Sequence, residues 1–130
     1  MLRLPTLMLA SLLAFSVPSG SAHADKLAGT WTGTGYAAPA SGQREKIACR
    51  ITYSPQGSKV FAVVATCASP SMKVVQSGQL TMVDQNRYVG EVYNAEYNIS
   101  GRARVVISGS RQTVTFTSSQ ISGQATLTRR

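Results

Sequence analysis

The chain has 130 residues, 43% of them hydrophobic and 14% charged, a length that suits one domain with a modest core and excludes two. Its formal net charge of +8 favours anionic partners such as lipopolysaccharide, acidic glycans or phospholipid headgroups. The alternative interpretation is that the cations are scattered over solvent-facing positions and serve solubility.

The first 24 residues have the layout of a secretory signal peptide. One cation, Arg3, precedes an apolar run over residues 7–17, and small residues surround Ala22-His23-Ala24. The apolar run is shorter than the roughly 20 residues that a membrane span needs. The pattern therefore predicts cleavage after Ala24, a single domain over residues 25–130, no transmembrane anchor, and a periplasmic or secreted bacterial protein.

Cleavage would remove His23, the only histidine of the chain. Its loss would exclude nucleophile pairs that use histidine, metal sites with histidine ligands, and proton switches based on imidazole. We expect no catalytic residues, no metal and no cofactor in residues 25–130. Glu91 and Glu96 flank a predicted turn but should lie on opposite faces of a hairpin, so a glycosidase pair is not expected.

The rest of the chain shows the two-residue alternation of β-strands and no useful helical periodicity. We predict eight strands, over residues 29–36, 44–53, 59–66, 73–83, 87–93, 97–107, 112–117 and 121–128. Short strands with short links predict an all-β fold, a single eight-stranded up-and-down antiparallel barrel, with a sandwich as the alternative.

The alternation also predicts which side chains point into the barrel. On the second strand the inward set is Ile47, Cys49, Ile51 and Tyr53. On the sixth strand it is Tyr97, Ile99, Ala103, Val105 and Ile107.

Cys49 and Cys67 are the only cysteines, and an oxidising compartment makes a disulfide the expectation. Such a bridge stabilises a small domain by about 3 kcal/mol in the chain-entropy model. The spacing differs from the C-x-x-C of redox-active pairs, so the predicted bridge is structural.

The sequence Ser54-Pro55-Gln56-Gly57 predicts a tight turn that joins the second and third strands as a hairpin. With regular pairing from that turn, the second cysteine would lie about four residues beyond the position opposite the first, too far for a disulfide. We therefore expect the third strand to bulge or curl back near Thr66.

Several strands carry small residues on the predicted inward face: Gly33, Gly35, Gly78, Gly101, Ala103, Gly123 and Ala125. One interpretation is that they let the strands coil and close a small barrel tightly. The other is that the missing side chains leave a hollow for a ligand.

The segment Gly29-Thr30-Trp31 resembles the Gly-x-Trp opening of the calycin superfamily, which includes lipocalins, avidins and bacterial metalloprotease inhibitors. The resemblance implies a barrel whose floor is closed by Trp31, with Arg129 or Arg130 from the last strand across its ring. The order of Gly-x-Trp, Cys49 and Cys67 is similar to the layout of the periplasmic inhibitors. Those insert a free N-terminal segment into the protease, whereas here only residues 25–28 precede the motif.

Six residues are candidates for contact with a ligand or partner: Tyr53, Tyr88, Tyr93, Tyr97, Arg102 and Arg104. Tyrosines can stack on sugars but are also common strand residues. The two arginines share a strand face and form a small basic patch, with too few interleaved aromatics to indicate a specific nucleic-acid partner.

The sequence thus favours a non-enzymatic binding module of the cell envelope, which takes an apolar or anionic ligand in the barrel or on a basic face. The alternative is a protein-interaction module such as an inhibitor of a secreted or periplasmic protease. An enzyme ranks last because no activated nucleophile is visible.

Overall fold

The computed structural model describes residues 26–130 and, before them, only Arg3. The predicted signal peptide and its cleavage site after Ala24 therefore lie outside the described residues. Nowhere in the described part of the chain is there a helix with the length and apolar character needed to cross a membrane.

Eight strands make up the domain, and all eight were predicted within a few residues of their bounds. They are β1 (Gly29–Pro39), β2 (Glu45–Pro55), β3 (Val60–Ala68), β4 (Lys73–Asp84), β5 (Arg87–Asn94), β6 (Ile99–Ser108), β7 (Arg111–Thr117) and β8 (Ile121–Arg129).

The strands form one closed antiparallel sheet, in which each strand pairs with its neighbours in sequence and β8 returns to pair with β1. The pairing of β1 with β8 closes the barrel, and it extends from Trp31 opposite Arg129 to Pro39 opposite Ile121. Closure leaves no sheet edge with unpaired backbone groups. The predicted up-and-down barrel is confirmed, and the sandwich alternative is wrong.

The up-and-down course gives the barrel two ends with different content. At the closed end lie residues 26–28, the start of β1, the end of β8, and the turns at 56–59, 85–86 and 109–110. At the open end lie the other four turns, at 40–44, 69–72, 95–98 and 118–120. These two names are used below for those two sets of residues.

Large side chains fill the interior at the closed end. Leu27, Trp31, Phe61, Tyr88 and Leu127 are each no more than 1% exposed. The rings of Phe61 and Tyr88 meet edge to face, with centroids 5.5 Å apart, an arrangement that aromatic pairs favour. Packing of this kind is the main source of stability in so small a domain.

The β2–β3 hairpin is confirmed, but its predicted register is wrong. β2 continues through Pro55, and the turn spans residues 56–59, with the Gln56 N–H donating to the Val60 carbonyl oxygen at 2.8 Å. The longer turn shifts the pairing so that Cys49 lies directly opposite Cys67. Their Cα atoms are 4.1 Å apart and the predicted disulfide is present, so the pairing needs no bulge near Thr66.

The irregularity in pairing lies on another strand. The register between β4 and β5 shifts between Met82 and Asp84, which leaves the intervening Val83 outside the regular ladder and 57% exposed. A bulge of this type places an extra residue on one strand near a turn. The bulge belongs to the closed end, whereas the disulfide region pairs regularly.

The predicted inward faces of β2 and β6 are confirmed with one exception. Ile51, Tyr53, Val105 and Ile107 are buried, as the alternation requires. Tyr97 is 41% exposed because it lies in the turn between β5 and β6, before β6 begins at Ile99. Its predicted inward position is therefore wrong, since the two-residue alternation does not extend into a turn.

The inward glycines allow the strands to approach closely. A Cβ atom on Gly33 or Gly35 would lie 1.9 or 1.8 Å from a carbonyl oxygen of β8. At Gly101 the space of the missing side chain is occupied by the ring of Phe116, 2.3 Å from where a Cβ would be. These glycines therefore serve closure and coiling, and the hollow described next is lined mainly by other residues.

Candidate ligand cavity

The interior of the barrel toward the open end holds a cavity of about 200 Å³. Small and β-branched side chains make up most of its lining, together with a few larger ones such as Tyr53, Leu80 and Phe116. Its apolar lining includes Ile47, Ile51, Val63, Ala65, Val74, Val92, Ile99, Ala103, Val105, Val114, Phe116 and Ala125. Cys49 and Cys67 also line the cavity, so the disulfide forms part of its wall.

Polar groups stand at the mouth of the cavity, where the β1–β2 and β3–β4 turns meet. The Glu45 carboxylate accepts hydrogen bonds at Oε2 from the hydroxyls of Ser69 and Ser71, at 3.1 and 2.6 Å. The Ser69 hydroxyl also accepts from the Met72 N–H at 3.2 Å. All four residues line the cavity, and the bonds from Ser69 and Ser71 tie the β3–β4 turn to the start of β2.

A buried polar pair crosses the barrel at the inner limit of the cavity. The Tyr53 hydroxyl, on β2, donates to Oε1 of Gln112, on β7, at 2.5 Å. Tyr53 is 2% exposed and also lines the cavity. Gln112 is 1% exposed, and its Nε2 is a buried donor without a partner in the described part of the chain.

The burial of Tyr53 has an electrostatic consequence. The phenolate form would lose its hydration inside the barrel, so desolvation raises the pKa of Tyr53 far above its ordinary value. The group is therefore a neutral hydroxyl across the physiological range. It can donate a hydrogen bond to Gln112, but it cannot supply a charge to a ligand.

The far side of this pair is closed by the N-terminal segment and Trp31. The indole Nε1 donates to the Leu27 carbonyl oxygen at 2.9 Å. The guanidinium of Arg129 stands 4.7 Å from the centre of the Trp31 ring and donates to the carbonyl oxygens of Lys26 and Ala28. This is the arrangement that the resemblance implied, with Arg129 rather than Arg130 over the ring.

Gly29 has a specific role in this closure. Its φ is +114°, a conformation that residues with a side chain rarely adopt. A Cβ there would also lie 3.2 Å from Nη1 of Arg129. The glycine of the Gly-x-Trp motif therefore turns the chain into β1 while leaving room for the guanidinium.

The structure separates the candidate contact residues into three groups. Tyr53 and Tyr88 are buried, and of the two only Tyr53 lines the cavity; the Tyr88 hydroxyl donates to the Gln85 carbonyl oxygen at 3.1 Å at the closed end. Tyr93 and Tyr97 are 43% and 41% exposed near the open end. They do not line the cavity, and the Tyr93 hydroxyl donates to Oδ1 of Asn98 at 3.0 Å.

The third group is the basic pair. Arg102 and Arg104 are exposed on the outer face of β6, away from the cavity. Glu91, outward on β5, and Glu96, in the β5–β6 turn, are exposed as well. Both carboxylates therefore face solvent and lie outside the cavity.

Sequence reasoning missed the residues that form the mouth of the cavity. Glu45 is the first residue of β2, whereas Ser69 and Ser71 lie in the β3–β4 turn, and nothing local in the sequence links the carboxylate to the two hydroxyls. It also missed Asn94, whose buried side chain donates to the Val75 carbonyl oxygen at 2.7 Å and accepts from the Tyr97 N–H at 2.6 Å. The buried asparagine before the turn was the available signal, because asparagine commonly bonds the backbone of a turn.

Comparison with known proteins supports the fold. No protein-family model matches the chain, and no curated protein is significantly similar to it. A redesigned beta barrel, mFAP1, bound to DFHBI has a TM-score of 0.68 and 17% identity, and the match covers 82% of this chain and 98% of that one.

Two further solved structures are similar. The redesigned beta barrel mFAP0, also bound to DFHBI, has a TM-score of 0.67 and 18% identity over 80% of this chain and 99% of that one. The crystal structure of Rv2717c from M. tuberculosis has a TM-score of 0.56 and 9% identity over 81% and 93%. At these identities the likeness shows the fold alone. The protein is thus a small closed eight-stranded β-barrel, and calycin or inhibitor membership is not confirmed.

Proposed function

We propose that the protein is a binding module of the cell envelope that takes a small apolar molecule into the open end of its barrel. The observation that carries the proposal is the cavity of about 200 Å³ between the Tyr53–Gln112 pair and the mouth at Glu45. Concave, mainly apolar sites with a few convergent polar groups are the usual form of small-molecule sites.

The size of the cavity limits the ligand. An engineered apolar cavity of roughly 150 Å³ in another protein binds benzene, so a cavity of this size suits a single substituted ring or a short branched chain. A longer molecule would fit only if the remainder protruded between the open-end turns.

The charge at the mouth selects among the ligands that the sequence allowed. An anionic ligand in the barrel would meet the Glu45 carboxylate at the entrance, and like charges repel. A neutral ligand with a hydroxyl or amine at its outer end could instead donate to that carboxylate. The proposal is therefore an apolar ligand with a neutral or donor-bearing head, rather than an anion.

The structure gives less support to the two alternatives, protease inhibition and catalysis. Protease inhibition through a free N-terminal segment would need residues 26–28 to leave the barrel, yet Leu27 is fully buried and its neighbours are bound by Arg129. Catalysis has no support from the cavity, because its walls carry no activated nucleophile among the described residues. The disulfide supports an exported location, since such bonds persist in oxidising compartments.

Native mass spectrometry of the protein purified from its own source, beside a denatured sample, tests the proposal. We expect the native protein to carry a small molecule that denaturation releases, and the mass of that molecule gives the ligand class. In parallel, titration with toluene followed by amide NMR should shift resonances of cavity-lining residues such as Ala65 and Val74.

A matched pair of variants locates the binding. Ala65 faces the cavity, whereas Ala62 lies on the outer parity of the same strand, outside the cavity lining. We expect Ala65→Leu to abolish toluene binding by filling the space and Ala62→Leu to leave it unchanged. Equal binding by both variants, or no shift with the unmodified protein and no bound molecule, would contradict the proposal.

A further inference from the structure

The outside of the barrel carries a second concave region, independent of the cavity, which we name the outer groove. It lies over β1, β7 and β8 and has a volume of about 660 Å³. Most of its floor consists of polar side chains, Thr34, Thr115, Thr117, Ser122, Gln124 and Thr126, and the rest is Gly35, Ala38, Phe116 and Gly123. A groove forms here because most of these side chains are short while those on the flanking strands are long.

Cations lie on both sides of the outer groove: Arg44 and Lys46 are among its lining residues, and Arg102 and Arg104 lie on the neighbouring strand β6, opposite lining residues of β7. The strand registers place one row of residues around the barrel: Lys46 on β2, Tyr36 on β1, Gln124 on β8, Thr115 on β7 and Arg104 on β6. Four strand spacings of about 4.8 Å, or ~19 Å along the surface, separate the two cationic ends of this row.

Each cationic end of the row has a second cation beside it. Arg44 stands over the exposed ring of Tyr36, 4.2 Å from its centre. On the other side, Arg102 is the partner of Thr117 in the β6–β7 register. Two pairs of cations, Arg44 with Lys46 and Arg102 with Arg104, therefore border a floor of hydroxyl and amide groups.

None of these four cations forms an ion pair with a carboxylate among the described residues, although Glu91 is the register partner of Arg102 on the neighbouring strand. In residues 26–130 the one ion pair joins Arg87 to Asp84, at the closed end. Glu45 is adjacent in sequence to both Arg44 and Lys46, but its carboxylate accepts from Ser69 and Ser71 at the mouth of the cavity. No acidic residue lines the outer groove, so its positive potential is available to a ligand.

We infer that the outer groove binds an acidic polysaccharide, with its carboxylate, sulfate or phosphate groups on the two cation pairs and its hydroxyls on the floor. Guanidinium and ammonium groups form charge-assisted hydrogen bonds with such anions. Serine, threonine and glutamine side chains both donate and accept, which matches the hydroxyls of a sugar. The ~19 Å between the cation pairs suits an extended chain that spans several sugar units.

The groove suits a glycan better than a nucleic acid. Binding of single strands relies on aromatic rings that stack on successive bases. The groove offers one exposed aromatic ring, Tyr36, and Arg44 already stands over it. A second ring at the groove, Phe116, is partly buried and also lines the inner cavity, and most of the remaining floor is hydroxyl and amide groups, which offer little stacking surface.

Binding measured by calorimetry with four probes tests the inference: alginate oligosaccharide, dextran sulfate, neutral dextran and an oligothymidylate of matched charge. We expect alginate, dextran sulfate or both to bind, with affinity that falls as salt rises. Binding of alginate alone would indicate a carboxylated glycan, and binding of dextran sulfate alone a sulfated one. Neutral dextran should not bind. Tighter binding of oligothymidylate, or no binding of either acidic glycan, would overturn the inference.

Three double variants locate the site. Arg44→Gln/Lys46→Gln and Arg102→Gln/Arg104→Gln should each weaken binding about tenfold, by removing two charge-assisted contacts. Lys59→Gln/Lys73→Gln removes the same charge from exposed positions outside the groove and should change affinity little. An equal loss with this control would mean general charge attraction and would overturn the inference.

The floor variant Thr115→Val/Gln124→Leu keeps every charge. We expect it to weaken glycan binding while leaving the melting temperature close to that of the parent, since both positions lie outside the buried core and valine is favoured in strands. Unchanged glycan affinity in this variant would show that the groove attracts anions without recognising sugar, which contradicts the inference.

Discussion

At the closed end of the barrel the side chains of Trp31, Phe61 and Tyr88 fill the interior, whereas at the open end the same sheet encloses a cavity of about 200 Å³. The closed end is held by packing, by the cation–π contact of Arg129 and by its hydrogen bonds to residues 26 and 28. The open half has fewer packed atoms but carries the disulfide in its wall. A small domain can thus keep a hollow when a covalent bond supplies stability that packing does not.

The largest difference in stability between the two ends should come from truncating a large packed side chain at the closed end. Trp31→Ala would leave a void among fully packed neighbours and lower the free energy of unfolding by about 3–5 kcal/mol. Val74→Ala, at the partly exposed cavity wall, should cost roughly 1 kcal/mol or less because the neighbouring space is already empty. Urea unfolding at pH 7 measures both, and similar losses would contradict the comparison.

Removal of the disulfide should have the next largest effect. Cys49 and Cys67 are separated by 18 residues, and a loop of that size stabilises the folded state by about 3 kcal/mol. Cys49→Ser/Cys67→Ser should therefore lower the urea midpoint. Because the bond forms part of the cavity wall, the same variant should also bind toluene more weakly. Loss of stability without loss of binding would mean that the bond acts on the unfolded chain alone.

The Tyr53–Gln112 pair, which lies between the two ends, should contribute less to stability than the disulfide. Tyr53→Phe leaves the Gln112 amide buried without its remaining partner and should cost about 1–3 kcal/mol. The double variant Tyr53→Phe/Gln112→Leu removes both polar groups and should recover most of that loss. Additive losses in this double-mutant cycle would show that the two side chains are not coupled, which contradicts a stabilising role for their hydrogen bond.

Tyr53 also gives the protein a specific sensitivity to alkali. Because burial raises the pKa of Tyr53, the unfolded chain loses this proton near pH 10 while the folded chain keeps it. Protonated Tyr53 therefore contributes its whole stabilisation below about pH 10, and the free energy of unfolding falls as the pH rises further. Urea unfolding across pH 8–11 should show a shallower fall for Tyr53→Phe than for the parent protein.

The smallest effect on stability should come from substitution of Asp84, which is exposed at the closed end. The hydrogen bond from the Asn86 N–H, followed by the one from Arg87, lowers the pKa of Asp84. Its contribution is therefore present at neutral pH and is lost as pH falls through the lowered value. Asp84→Asn should reduce the acid dependence of unfolding slightly, and a large effect would contradict the surface character of this pair.

Local patterns in the sequence were sufficient for the secondary structure. Alternation located all eight strands and the inward faces of β2 and β6, because the side-chain period of a strand is fixed by its backbone. It failed at Tyr97, where a turn interrupts that period. The β2–β3 register was wrong because the turn begins two residues later than the Ser54–Gly57 signal indicates, and every later pairing in the hairpin shifts with it.

Contacts between distant residues decided the candidate sites. The mouth of the cavity joins Glu45 to Ser69 and Ser71, and the outer groove joins Lys46 to Arg104 through three intervening strands. The first of these contacts depends on the register of the β2–β3 hairpin, and the second on the closure of β1 against β8. Arg102 and Arg104 were recognisable as a pair, but their partners across the groove were not.

The sequence by itself determined that the chain is an all-β domain with a Cys49–Cys67 bridge, because strand periodicity and the reactivity of paired cysteines are properties of short stretches and of composition. The tertiary structure alone decided that the barrel is packed at one end and hollow at the other. That outcome depends on which inward side chains share a level after closure, and the shift in register between strands sets those levels. The inward glycines admitted both interpretations in the sequence, and only the distances to β8 and Phe116 showed that they bring strands together.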